Sequence, residues 1–130
     1  MMNDLKGSYS LVMANEHMLI GVRDPKGIRP LCLGKKGDSY ILASESVALD
    51  AVGASLIRDI EPGEIIMISD EGAKSLRYDP LAGHAPSALC IFEYVYLARP
   101  DSVIDGLDVM GSRLRVGARS EEHTSELQSR

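Results

Sequence analysis

The chain has 130 residues and a mass of 14.1 kDa, with 45% hydrophobic residues and a formal charge of −5. That size allows one domain with its own core, and the acidic balance argues against a nucleic-acid or anionic-membrane surface. No apolar run approaches the roughly 20 residues that a spanning helix needs, and no charged-then-apolar signal region opens the chain. Two cysteines, Cys32 and Cys90, match neither a disulfide framework nor a CxxC site, which points to a reducing cytoplasm. In chain order, residues 7–15 (GSYSLVMAN) and 17–22 (HMLIGV) read as two strands around a tight turn at Asn15-Glu16, a hairpin. Asp24-Pro25-Lys26-Gly27 is a turn, because proline fixes φ at its second position and glycine accepts a positive φ. Two short apolar runs, 31–34 and 40–43, flank a polar segment and form a second hairpin, with Lys35-Lys36 at its solvated tip.

Ser44-Glu45-Ser46 then opens a helix, with Ser44 or Ser46 as its cap and Glu45 in the first turn, where the helix dipole favours an acid. Val47, Leu49 and Val52 give this helix its apolar side. Residues 56–60 and 64–69 are strands punctuated by Pro62-Gly63. After the turn Asp70-Glu71-Gly72, the more polar residues 73–78 suit an edge strand. Residues 79–87 read as loop. Residues 89–98, a long apolar run that holds Phe92, Tyr94 and Tyr96, read as a strand stopped by Arg99-Pro100. Residues 110–118 begin a helix. About seven strands and one or two helices indicate a mixed, mostly antiparallel α+β domain of layered sheets with helical cover.

The last residues, 119–130 (RSEEHTSELQSR), break abruptly in composition and carry no apolar periodicity. Back-translated, they resemble the adapter of high-throughput sequencing libraries and are set apart from the fold as a read-through scar, the alternative being a natural polar tail. His123 lies there and is not counted as a ligand. His17 at a hairpin turn and His84 in a Pro/Gly loop have no second ligand at metal spacing, so both read as surface residues. Asp24 and Arg29 bracket the first turn and read as a brace of that loop, by an ion pair or backbone hydrogen bonds, with a substrate contact as the alternative. Arg99 and Asp101 read as a similar brace or as a hinge.

Four blocks in order, RDPKGIRPL (23–31), ASESVALD (43–50), IEPGE (60–64) and CIFEYVYLARPDS (90–102), resemble the glutamine phosphoribosylpyrophosphate amidotransferase family. The resemblance covers residues 5–116, and the last block is the most specific. It implies an N-terminal-nucleophile-type αββα sandwich, present in part. Residues 1–98 would be the second half of a class II glutamine amidotransferase domain. Residues 99–118 would be a connection towards a phosphoribosyltransferase domain, with 119–130 the adapter segment. The whole protein would use glutamine and phosphoribosylpyrophosphate to make phosphoribosylamine at the start of purine synthesis. It would act as a cytoplasmic homo-oligomer, with Mg2+ and, in some members, a [4Fe-4S] cluster. Nucleic acid and membrane are not among its expected partners.

Catalysis in that family starts from an N-terminal cysteine, whereas this sequence begins Met1-Met2 and has no cysteine before Cys32. It also lacks an Asn-Gly oxyanion pair, the HxRYxT segment and an acidic ribose-phosphate loop. No catalytic or substrate-binding residue is assigned, and the fragment alone is expected to be inactive. Cys90 occupies the place of a cluster ligand in iron–sulfur members, but members without a cluster carry a cysteine there too, so a small buried apolar Cys is the other reading. Cys32 reads as core. Rival readings are another class II amidotransferase, such as the glucosamine-6-phosphate synthase branch, or a stand-alone, non-catalytic sheet domain. A sandwich without its first strands would expose sheet faces and edges and self-associate.

Overall fold

A computed structural model describes residue 2, residues 4–77 and residues 87–128, with side chains to residue 121. The 79–87 loop, apart from Ser87, and His84 lie outside the described residues. Seven strands build two antiparallel sheets: β1 (Ser10–Ala14), β2 (Leu19–Arg23), β6 (Glu64–Ser69) and β7 (Gly72–Arg77) in the order β1-β2-β6-β7, and β3 (Cys32–Lys36), β4 (Ser39–Ala43) and β5 (Ser55–Asp59) in the order β4-β3-β5. The polar strand read at 73–78 is the edge strand β7. Helix α1 (Ser46–Ala51) lies on β3, β4 and β5.

Side-chain alternation along β3 explains the layering. Leu31 and Leu33 point to one side and join Ile60, Ile66 and Ile68 in a core between the two sheets. Cys32 points to the other side and packs with Leu49 and Ala54 under α1. Close approach is set by two glycines. A Cβ on Gly34 would lie 2.7 Å from both methyls of Leu49, and one on Gly21 would lie 2.7 Å from Leu42 Cδ1. Leu49 is itself 0% exposed.

Both hairpins read from the sequence are present, β1 with β2 and β3 with β4. The second is tighter than expected. Its strands run to Lys36 and from Ser39, so Gly37-Asp38 alone makes the turn, with Gly37 at φ +57. Lys35 and Lys36 are therefore strand residues and not a solvated tip. Lys35 sits over the Tyr40 ring, and Lys36 donates to the Val52 carbonyl at 2.6 Å.

Residues 89–98 correct the strand reading. Ile91 and Phe92 are helical and Glu93–Leu97 is a π-helix, closed by the bond from Ala98 N–H to the Glu93 carbonyl at 3.0 Å. Leu89, Tyr94 and Ala98, spaced by five and four, face inward onto Ile104 and Val109. Glu93 is drawn inward as well, while Ile91, Phe92, Val95 and Tyr96 face out, Tyr96 at 78% exposure. A strand would have placed Glu93 on the face of Ile91 and Val95, whereas Glu93 is buried and they are exposed, as helical spacing requires.

A two-stranded hairpin, β8 (Val103–Ile104) and β9 (Leu107–Asp108), follows and leads into α2 (Val109–Gln128). That helix starts one residue before the expected 110 and continues past 118, into the residues set apart as the adapter segment. Among the described residues no helix is long and apolar enough to cross a membrane.

Candidate functional site

The four sequence blocks meet at one polar junction. Asp24, fully buried, organises its own turn: its carboxylate accepts hydrogen bonds from the backbone N–H of Lys26 (2.9 Å), Ile28 (2.8 Å) and Arg29 (3.3 Å). Its carbonyl accepts from Gly27 N–H at 2.9 Å and from Gly63 N–H at 3.0 Å, which ties the first block to the third. Gly27 sits at φ +62 with a would-be Cβ 2.6 Å from Pro62, so only glycine fits there.

Arg23 is the hub, at 1% exposure. Its guanidinium donates to the carbonyls of Arg29 (3.0 Å), Ile60 (2.6 Å) and Gly27 (3.1 Å). It also forks onto both Asp105 oxygens, at 2.9 and 3.0 Å. Asp59 lies beside this pair. Burial pushes its carboxyl up and the Asp105 charge adds to that, against Arg23 and the backbone N–H groups of Asp105 and Gly106.

The second and fourth blocks join through the residues expected to cap α1. Its N-cap position is Glu45, and no side chain caps the helix. Instead, Glu45 Oε2 accepts from Arg99 N–H at 3.0 Å and from the Ser102 hydroxyl at 2.6 Å, and Ser46 Oγ accepts from Val103 N–H at 2.8 Å. Arg29 braces Asp24 through its backbone N–H, as one of the two expected forms, while its side chain reaches Glu93 Oε1 at 2.8 Å. Burial raises the Glu93 carboxyl against the pull of Arg29. Arg99 and Asp101 form their local brace at 3.1 Å, both exposed.

A cleft of about 600 Å3 opens beside this junction, lined by Ser8, Ser10, Arg29, Glu45, Glu93 and Leu97 among others. It offers one cation, two carboxylates and hydroxyls, a set that binds and orients polar groups but holds no thiol. Cys32 is buried in the α1 core, and burial, with Asp59 adding, pushes its thiol up to about 12, so it is a poor nucleophile. Cys90 is half-buried, with its N–H on the Ile28 carbonyl at 3.0 Å. His17, on the first hairpin loop, is exposed. Among the described residues no group of three or more His, Cys, Asp or Glu could hold a metal ion. The chain has two cysteines, so its own residues do not complete the usual four-thiolate cluster.

A second polar knot brackets the third block. Glu64, buried, accepts from Arg58 (2.8 and 2.5 Å), the Ser75 hydroxyl (2.7 Å) and Glu61 N–H (2.8 Å), and Arg77 pairs with Glu61. Burial alone would raise the Glu64 carboxyl, but these donors together outweigh it and hold it below the usual range. A depressed folded-state value means stability that is present above the ordinary carboxylate range and lost as pH falls through the lowered value. Acid titration of unfolding should therefore show a loss beginning below about pH 4.5, and Glu64→Gln should remove that part of the pH dependence. An unchanged profile in the variant would contradict the assignment.

Sequence reasoning missed Arg23, Glu45, Glu93 and Asp105 as junction residues. A signal was present for Glu93, a lone acid inside the apolar run CIFEYVYL, and for Asp105-Gly106, the preferred pair of a two-residue hairpin.

The chain is similar to known proteins in sequence and in fold. A family model described as a glutamine amidotransferase domain matches residues 1–51. The chain is 45% identical over 113 residues to the amidophosphoribosyltransferase of Archaeoglobus fulgidus, covering 87% of this chain and 24% of the relative. It is 47% identical over 115 residues to that of Mycobacterium tuberculosis H37Rv, covering 88% and 21%. Among solved structures, the glutamine phosphoribosylpyrophosphate amidotransferase of B. subtilis complexed with ADP and GMP superposes with a TM-score of 0.76 at 44% identity, over 83% of this chain and 23% of that one. The chain thus spans less than a quarter of the length of these relatives.

Proposed function

From the premise that this chain corresponds to part of the glutaminase domain of the amidophosphoribosyltransferase family, we propose that it is the scaffold portion of that domain and carries no nucleophile of its own. The observation that supports this is the junction. The four recognisable blocks spend Arg23, Asp24, Arg29, Glu45 and Glu93 on one another, on Asp105 and on backbone groups, leaving a polar cleft without a thiol. In the whole protein the scaffold would hold a glutamine-hydrolysing half against a transferase half, so that ammonia from glutamine reaches phosphoribosylpyrophosphate.

Exposed apolar residues on the outer side of the π-helix and α2, with Ile91 at 63%, are the surface a longer chain would cover. Residues 1–98 would belong to the partial glutamine amidotransferase domain, with 89–98 packed on the connection 99–118, while 119–130, though continuous with α2, would be the adapter segment. Cys90 enters this reading as at most one ligand of a cluster completed elsewhere, and Mg2+ as an ion of the transferase half. Homo-oligomerisation and a cytoplasmic setting belong to the same proposal.

A segment exchange tests it. Residues 5–116 replace the matching segment of the B. subtilis enzyme, and glutamine-dependent phosphoribosylamine formation is measured. The proposal expects activity within about tenfold of the parent, since a scaffold with matched packing changes barriers by about 1.4 kcal/mol or less. A folded chimera without glutamine-dependent activity but with ammonia-dependent activity would overturn the scaffold reading.

A further inference from the structure

Residues 88–116 hold themselves together more than they hold to the sheets. Leu89, Tyr94, Ala98, Ile104 and Val109 form a core of their own, separate from the two sheet-side cores. Tyr94 donates its hydroxyl to the Ile104 carbonyl at 2.9 Å, and Arg113 donates to the carbonyls of Tyr94 and Ala98, each at 2.7 Å. Val109 N–H reaches the Ser102 carbonyl at 3.1 Å. The attachments of this unit to the rest of the chain are instead largely polar: Asp105 on Arg23, the Asp105 and Gly106 N–H groups on Asp59, Ser102 and the Arg99 N–H on Glu45, Val103 on Ser46, Glu93 on Arg29, and the N–H groups of Ala88 and Cys90 on the Lys26 and Ile28 carbonyls.

The Asp105 attachment is asymmetric. Every other hydrogen bond of the Arg23 guanidinium goes to a carbonyl outside the unit, those of Gly27, Arg29 and Ile60. Three carbonyls outside the unit thus hold the guanidinium from the sheet side, with its fork aimed at the hairpin. Asp105 and Gly106 are the two turn residues of the β8–β9 hairpin, with φ of +46 and +74, so the hairpin itself forms from local geometry. A preformed receptor on one side and a locally stable plug on the other are the parts of a catch.

We propose that the β8–β9 hairpin is a strap with a releasable catch: Asp105 plugs the Arg23 socket, and its withdrawal lowers the cost of opening residues 88–116 as one unit, which the polar tethers to Lys26, Ile28, Arg29, Glu45 and Ser46 then hold alone. Ser87, whose hydroxyl lies 3.3 Å from Asp105 Oδ2, guards the rim of the socket.

Hydrogen exchange read by mass spectrometry on the full 130-residue chain tests this, with Asp105→Asn as the variant. Asparagine tolerates the positive φ and so keeps the turn, while the charge and one of the two acceptor oxygens facing Arg23 are removed. Amides of 88–116 should exchange faster together, by at least about tenfold, the scale of one lost charge-assisted pair, while β2, β3 and β6 keep wild-type rates. Equal acceleration in the strands, or none in 88–116, would overturn the proposal. Should the variant fail to fold, wild-type chain in rising sub-denaturing urea decides: 88–116 opening before the strands supports the strap, and coincident opening rejects it.

Discussion

Replacing Arg23 with methionine should destabilise the fold by about 3–5 kcal/mol, the range for removing one partner of a buried ion pair. The physical cause is the number of hydrogen bonds lost. This one guanidinium donates to three buried or half-buried carbonyls and to both oxygens of Asp105. Only longer hydroxyl bonds, from Ser10 to the Arg29 carbonyl and from Ser87 to the Gly27 carbonyl and Asp105 Oδ2, remain without it. Methionine matches the volume and the apolar stem but returns none of those hydrogen bonds. Lysine should fail nearly as badly, since an ammonium cannot fork onto a carboxylate and reach carbonyls on three sides. Against a typical domain stability of about 5–15 kcal/mol, such a loss moves a urea midpoint far towards zero. A methionine variant that unfolds within about 1 kcal/mol of wild type would mean that Arg23 is solvated in practice and that the junction is not a weld.

Leu49→Ala should cost about 2–5 kcal/mol, as for other fully buried leucines, and its partner across the sheet gives a sharper test. Gly34→Ala places a methyl 2.7 Å from both Leu49 methyls, so alone it should cost about 1–3 kcal/mol by overpacking. In the double variant the new methyl enters the space that Leu49 vacates. The two losses should then fall short of additive by about 1 kcal/mol or more in a double-mutant cycle. Additive losses would show that the helix lifts off β3 and that the close approach is not fixed by the glycine.

The sheet body was legible because its signals are local. The short apolar runs at 31–34 and 64–69, Pro-Gly at 62–63 and the Asp24-Pro25-Lys26-Gly27 turn each specify a strand or its end without help from distant residues. The blocks that carry the family resemblance were legible too, and so was the partial N-terminal-nucleophile-type α+β fold they imply, which the B. subtilis structure shares. The C-terminal unit was not legible for the opposite reason. Ten mostly apolar residues satisfy a strand and a helix equally, and the partners of the helical arrangement are non-local: Ile104 and Val109 under Leu89, Tyr94 and Ala98, and Arg29, 64 positions away in sequence, beside Glu93. Ser44-Glu45-Ser46 misled in the same manner. The residues have the chemistry of a helix cap, yet Glu45 and Ser46 are engaged by Ser102 and Val103, over a separation of 57 residues each. Long-range polar pairing overrides local preference at the places where the blocks meet, and no local pattern encodes it.

The most direct measurement is glutamine hydrolysis by the chain as it stands, followed as ammonia and glutamate release at high protein concentration and compared with the segment-exchange chimera. The account predicts no release above the uncatalysed rate from the chain, with or without Cys90→Ser, and turnover from the chimera, whose nucleophile comes from the surrounding enzyme. Hydrolysis by the isolated chain that disappears in Cys90→Ser or Cys32→Ser would contradict it, because one of these thiols would then be a nucleophile and the chain a catalyst in its own right.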